Sequence, residues 1–216
     1  MSTGWSAPDT EPTRLVLLRH GQTPLSVDQR FAGRGDAELT DQGHQQASAA
    51  ARRIAAWPVD AVVSSPLTRC RDTAAHAAEQ LGLPVEVDEG FVETDFGEWE
   101  EMTFAEARTA DPAGVDRWIS DPHVGPPGGE SFAQVAARVA AAREALVRRH
   151  RGSTVLVVTH VTPIKILVQQ AMGAPLEALY SMHLDTACLT RIDCYADGPM
   201  VVRSLNDTAH LAWQTP

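Results

Sequence analysis

Two histidines stand directly after short apolar runs in distant parts of the 216-residue chain. Leu15–Leu18 leads through Arg19 into His20-Gly21, and Val155–Val158 leads through Thr159 into His160. A third run, from Ala61, ends in Ser64-Ser65-Pro66-Leu67-Thr68-Arg69. A neutral imidazole can attack phosphorus, and a protonated one can donate to the same group as charge shifts in the transition state. The guanidinium forks of Arg19 and Arg69 match phosphoryl oxygens, and Gly21 lets a backbone come close. One histidine after a strand is most simply a capped, partly buried side chain. A matched pair, one member flanked by Arg and Gly, points to phosphate chemistry instead. Arg69 falls in the first turn of an expected helix, where a cation opposes the helix dipole. A solvent-facing arginine accounts for it equally well on its own; a bound anion would offset the cost.

Phosphoryl transfer also needs a proton donor for the leaving group. The stretch FVETDFGEWEE offers Glu93, Asp95, Glu98, Glu100 and Glu101. A carboxyl held against an apolar neighbour keeps its proton to higher pH and can serve as a general acid. Spacing does not choose among the five. No P-loop lysine motif, HExxH or GxSxG is present. Gly33-Arg34-Gly35 is a fragment of a dinucleotide fingerprint that follows no strand, and it carries no reading.

The elements that must position these residues follow from periodicity and breakers. Buried strands are expected over Arg14–Arg19, Ala61–Ser64, Val85–Val87 and Thr154–Thr159, with closing strands over Ala187–Cys194 and Met200–Asn206 around a turn at Asp197-Gly198-Pro199. Helices are expected from the Thr40 cap to about Trp57, from Pro66 to Leu81, over Ser131–His150 and from Pro163 to about Met172, with short helical pieces near Thr103–Asp111 and Pro112–Ser120. Continuous apolar strands alternating with helices mean an α/β fold with a mainly parallel sheet covered on both faces. Ligands in such sheets bind outside the carboxyl ends of the strands, where both histidines stand.

Composition narrows the function classes. Hydrophobic residues make up 44% and charged residues 21%, which excludes wholesale disorder. The net charge of −10 disfavours nucleic acid, and no apolar run is long enough to span a membrane. Lys165 is the only lysine, an imbalance most simply due to codon bias. The arginines at 138, 143, 148, 149 and 151 read as the solvated face of a long helix. Three cysteines in no metal-ligand spacing fit a reduced, cytoplasmic protein. Residues 1–13 lack the regions of a signal peptide and are expected to be a disordered lead-in or linker end.

Taken together, RHGQT (19–23), the segment from Phe31 to Ala47, SSPLTRCRDTA (64–74), VETDFGEWE (92–100), PPGGESF (126–132) and VVTH (157–160) resemble, in order, the motifs of the histidine phosphatase superfamily, the group that includes the cofactor-dependent phosphoglycerate mutases. The resemblance implies a three-layer α/β/α, phosphoglycerate mutase-like domain over 14–207, followed by a tail at 208–216. It makes His20 a nucleophile that becomes phosphohistidine, Arg19, Arg69 and His160 the phosphate pocket, and Glu93 the proton donor. Gly21, Gln22, Thr23, Ser26 and Val161 would contact substrate. Ser26 stands where relatives often have Asn, and Val161 where many have Gly.

No metal and no cofactor are implied. VETDFGEWE resembles the phosphatases rather than the mutases. The nearest likeness is to the α-ribazole-phosphatase-like acid phosphatase domain at the C-terminus of actinobacterial bifunctional ribonuclease H/acid phosphatases. The expected function is therefore that of an acid phosphatase on a small phosphomonoester, α-ribazole phosphate by likeness, in a domain that binds neither nucleic acid nor membrane and is fused to a ribonuclease H domain in a longer protein. The alternatives are a phosphoglycerate mutase and a non-catalytic module that holds a phosphorylated ligand.

Overall fold

In the computed structural model, which describes residues 11–196 and 198–211, the chain forms one six-stranded sheet between two layers of helices. The elements run β1 (Thr13–Arg19), α1 (Pro24–Val27), α2 (Asp41–Ile54), β2 (Ala61–Ser64), α3 (Thr68–Leu81), β3 (Val85–Val87), α4 (Phe104–Ala110), α5 (Pro112–Ser120), α6 (Phe132–Arg149), β4 (Thr154–Thr159), α7 (Val161–Met172), β5 (Leu189–Cys194) and β6 (Met200–Asp207). The sheet order is β3-β2-β4-β1-β5-β6. The first four strands in that order are parallel, and β5 and β6 close the sheet antiparallel.

Strand alternation divides the core in two. Leu15, Leu17, Val63, Val155 and Val157 pack with Val135, Val139 and Leu146 of α6 and Ile164 and Leu167 of α7. Val16, Leu18, Val62, Leu156 and Val158 face the opposite way, onto Ala50, Ile54, Ala74 and Ala77 of α2 and α3. The small alanine faces of α2 and α3 let these two helices lie close together on that side of the sheet.

Several boundaries differ from the sequence expectations. The helix capped by Thr40, whose hydroxyl accepts from Gly43 N, ends at Ile54 rather than Trp57. Pro66 precedes α3 instead of opening it; Leu67 is the cap and Thr68 the first helical residue. The last long helix begins at Val161, with His160 itself as its N-cap. β1 begins at Thr13, whose buried hydroxyl donates to His150 O. After β6 the chain makes a 3-10 turn at Ala209–Leu211 that packs on α2. The rest of the expected lead-in and tail, and Asp197 of the expected turn, lie outside the described residues.

Leu17 is fully buried in the central strand. Leu17→Ala is expected to destabilise the domain by about 2–5 kcal/mol, since the cavity it leaves cannot collapse between two rigid layers. A shifted urea midpoint with an unchanged m-value would show it.

Candidate active site

The two histidines meet because β1 and β4 are paired in register. Arg19 lies opposite Thr159, so the next residue of each strand is a histidine at the same carboxyl edge. His20 N donates to Thr159 O at 3.0 Å, and the rings lie edge to face with centroids 5.2 Å apart. Both side chains are buried. His20 Nδ1 sits 2.8 Å from Gly21 O. A carbonyl only accepts, so Nδ1 carries the proton and Nε2 holds the lone pair. His160 Nε2 lies 2.7 Å from Ser65 Oγ, on the loop after β2, and 3.4 Å from the buried Cys70 Sγ.

Burial, then the positive charges of Arg69 and Arg19, hold the His20 pKa well below the ordinary 6.5. Burial, then Arg69, does the same for His160. Both rings are therefore neutral at pH 7. Burial also pushes the Cys70 thiol well up, so it stays protonated.

Gly21 serves a different backbone from the one expected. A Cβ there would fall 2.5 Å from Gly43 O, and one on Gly43 would fall 2.2 Å from Gln22 O. The pair lets the loop after β1 lie against the start of α2, and Gln46 Oε1 and Thr73 Oγ1 accept from Gln22 N and Gly21 N. Gln22 Oε1 accepts from Thr40 Oγ1 at 2.8 Å, and Thr23 caps α1 in a reciprocal pair with Ser26. Gln22 and Thr23 thus help to hold the loop.

Arg69, fully buried in the first turn of α3, is gripped by the loop before α2. Its Nη1 donates to Gly35 O at 2.6 Å, and its Nη2 to Ala32 O and Gly33 O. The segment Gly33-Arg34-Gly35, which carried no reading in the sequence, thus supplies two of the carbonyls that offset the dipole. Arg19 Nη1 donates to Leu184 O. The Nε–H groups of both arginines are buried and have no partner among the described residues. An unmet buried donor costs about 1–3 kcal/mol, a cost that an acceptor reaching it would remove.

Among the five candidate acids, Glu93 alone is buried. Its Oε1 accepts from Thr94 N at 2.8 Å and its Oε2 from Thr162 N, in the first turn of α7, at 3.3 Å. Asp95 and Glu100 are tied to backbone amides, and Glu98 and Glu101 are exposed. Arg138 departs from the expected solvated face: its Nη1 holds Gly90 O and Val92 O, and its Nη2 pairs with Glu130. It clamps the segment that leads into Glu93.

Arg19, His20 and Glu93 open onto a cavity of about 270 Å³ together with Ser26, Arg30, Val161, Thr162 and Lys165. One side of it is aromatic, from Phe31, Phe96, Trp118 and Phe132. Gly21, Gln22, Thr23, Arg69 and His160 are not among its lining residues. A larger cleft of about 580 Å³, lined by Arg14, Trp57, Asp193 and Arg203, lies by the amino ends of β1 and β4 and holds none of the expected site residues. No group of three or more His, Cys, Asp or Glu side chains that could hold a metal ion occurs among the described residues. None of their helices is long and apolar enough to cross a membrane.

Ser65, Arg138, Arg30 and Lys165 were not singled out for the site by sequence. Ser65 follows a strand of the parallel sheet, a position that could have marked it. The other three carry no signal of their own, because their roles come from tertiary packing.

The family model for the histidine phosphatase superfamily (branch 1) matches residues 15–208. The chain belongs to the histidine phosphatase superfamily. It is 50% identical over 211 residues to the bifunctional protein Rv2228c of Mycobacterium tuberculosis, covering 97% of this chain and 58% of that protein. It is 33% identical to phosphoserine phosphatase 1 of Hydrogenobacter thermophilus, over 92% of this chain and 94% of that one. The mycobacterial glucosyl-3-phosphoglycerate phosphatase Rv2419c, solved in complex with VO3, superposes with a TM-score of 0.84 at 31% identity, over 91% of this chain and 100% of that one. This domain accordingly has the three-layer fold of the superfamily.

The depressed pKa values of the two histidines fix the sign of one pH effect. In the unfolded chain each takes up a proton near pH 6.5, while in the folded chain each resists it. Their contribution to stability is whole above about pH 6.5 and is lost as the pH falls from there toward the folded values. Denaturation midpoints in phosphate-free buffer are expected to be flat from pH 8 to 7 and to fall below 6.5, with a shallower slope for His160→Gln.

Proposed function

We propose that the domain is a metal-independent phosphomonoesterase that works through a phosphohistidine at His20. The observation that carries this reading is the fixed tautomer: the Gly21 carbonyl holds the Nδ1 proton and leaves Nε2 as the nucleophile, in a neutral ring beside two arginines whose buried Nε–H groups have no partner among the described residues. Nε2 attacks phosphorus in line, the N–P bond forms and the ester P–O bond breaks. The Glu93 carboxyl group gives a proton to the departing alkoxide oxygen. In the second step Glu93 takes a proton from water, whose oxygen attacks phosphorus; the N–P bond breaks and phosphate leaves. Arg19 and Arg69 stabilise charge on the equatorial oxygens. The arriving dianion raises the affinity of His160 for a proton, which the ring takes from solvent and then donates in a hydrogen bond to the same group. The arginine and histidine charges stand in the place of a metal clamp.

Ser26 and Val161 lie on the wall that would meet the substrate. The substrate class is a small phosphorylated metabolite, and α-ribazole phosphate, expected by likeness, belongs in the panel that identifies it. The chain spans 58% of the length of the bifunctional relatives, which supports fusion to a second domain in a longer protein. The preferred reading over a mutase is hydrolysis; release of phosphate from 3-phosphoglycerate without isomerisation would distinguish them.

Glu93 provides the test. An alkyl alkoxide needs a proton as it leaves, whereas 4-nitrophenolate does not. Glu93→Gln is expected to slow single-turnover phosphorylation by glycerol phosphate by about 10²–10⁴-fold and by 4-nitrophenyl phosphate only slightly. EDTA should change neither wild-type rate. Equal defects on both substrates would remove Glu93 from the acid role, and a metal-reversible loss in EDTA would overturn the metal-free mechanism.

A further inference from the structure

Four charged residues line the cavity: Arg19, Arg30, Glu93 and Lys165. Three of them are already committed. Arg30 pairs with Glu106 at 2.8 Å and holds Glu101 O. Arg19 lies half-buried beside His20 and holds Leu184 O. The Glu93 carboxylate is held by two backbone amides. Lys165 is different. Its Nζ donates to one carbonyl, Leu179 O at 3.0 Å, and it makes no ion pair among the described residues. An ammonium has three N–H donors, so one carbonyl leaves it both charge and hydrogen-bonding capacity. It is also partly desolvated, and Glu93 is the nearby group that favours its charge without bonding to it, so an anion in direct contact would be favoured.

A second donor lines the same cavity. Trp118 is 8% exposed, and its Nε1–H is buried with no partner among the described residues. Indole only donates, so whatever meets it must accept. Trp118 packs against Phe31 at 5.7 Å and Phe132 at 5.4 Å between ring centroids, and Phe31 against Phe96 at 4.7 Å. This aromatic side excludes water and strengthens any charge pair formed beside it. At about 270 Å³ the cavity falls just below the range of about 300–1,000 Å³ usual for drug-sized ligands, so the occupant is compact.

We infer that the substrate is a small phosphomonoester whose alcohol carries a carboxylate, and that Lys165 is the specificity-determining residue that binds it, with Trp118 Nε1 as a second donor to the same end of the molecule. The inference rests on the phosphomonoesterase reading for the other end. A carboxylate fits these two donors because it only accepts, carries one charge and is small. A second phosphoryl group, with three acceptor oxygens and close to two charges, would be left undersupplied by one ammonium and one indole N–H. Lys165 stands four residues after Val161 on α7, one turn beyond the helix start that holds Glu93. The carboxylate end and the leaving oxygen are therefore served by successive turns of one helix.

The test compares 3-phosphoglycerate with glycerol 3-phosphate, which differ only in a carboxylate against a hydroxymethyl group. Affinities are measured calorimetrically on the His20→Ala chain, so that turnover does not interfere. At least about tenfold tighter binding of 3-phosphoglycerate is expected. Lys165→Met should remove that ratio and Lys165→Arg should keep most of it, the latter also guarding against a merely structural loss at the Leu179 contact. Equal affinities for the two ligands would overturn the proposal. So would a ratio that survives Lys165→Met, or one that Arg fails to restore in a variant with an unchanged melting temperature. Failure of the phosphomonoesterase reading would show separately, as wild-type enzyme that releases no phosphate from either ligand while the affinity ratio stands.

Discussion

The site depends on one constraint, the in-register parallel pairing of β1 with β4. Arg19 faces Thr159 across that ladder, so His20 and His160 leave the sheet side by side. A shift of one residue would turn the apolar side chains of one strand onto the wrong layer, since side chains alternate with a period of two. The burial of Leu15, Leu17, Val155 and Val157 on one face and Val16, Leu18, Leu156 and Val158 on the other therefore fixes the register. Core packing and catalytic geometry are two consequences of the same pattern.

The second consequence is electrostatic. Two imidazoles are held out of water beside two guanidinium groups, and that environment keeps both rings neutral. A neutral ring costs less to bury than a charged one, and in His20 it is also the nucleophilic form. The arginine charges are held in place by the protein's own carbonyls, those of residues 32, 33 and 35 for Arg69 and of Leu184 for Arg19. Positive charge fixed before the anion arrives need not reorganise during the reaction, which is where such sites gain most of their rate.

Much of this was legible in the sequence for a physical reason. Apolar runs of three or four residues followed within two positions by His or Ser mark strands of a parallel sheet, and the carboxyl edge follows from their polarity. Composition and spacing alone left the acid open among five carboxylates; the resemblance named Glu93, and the structure shows it as the buried one lining the cavity. What escaped were long side chains whose partners are remote in sequence. Arg138 reads as one more exposed arginine on a helix, yet it reaches the carbonyls of Gly90 and Val92. Lys165 drew notice only as the sole lysine. Gln22 and Thr23, expected to meet substrate, also bond through their side chains to Thr40 and Ser26, a loop-holding role that residue type alone did not reveal.

In the proposed mechanism His20 carries the phosphoryl group on Nε2, because Gly21 O occupies Nδ1. The most direct measurement is rapid acid-free quenching of the enzyme with 4-nitrophenyl phosphate, followed by peptide mapping and separation of the two phosphohistidine isomers after alkaline hydrolysis. The account predicts an acid-labile, alkali-stable phosphoryl group at His20, all of it on Nε2. Phosphate on Nδ1, on another residue such as Ser65, or on no residue at all during steady turnover would contradict it.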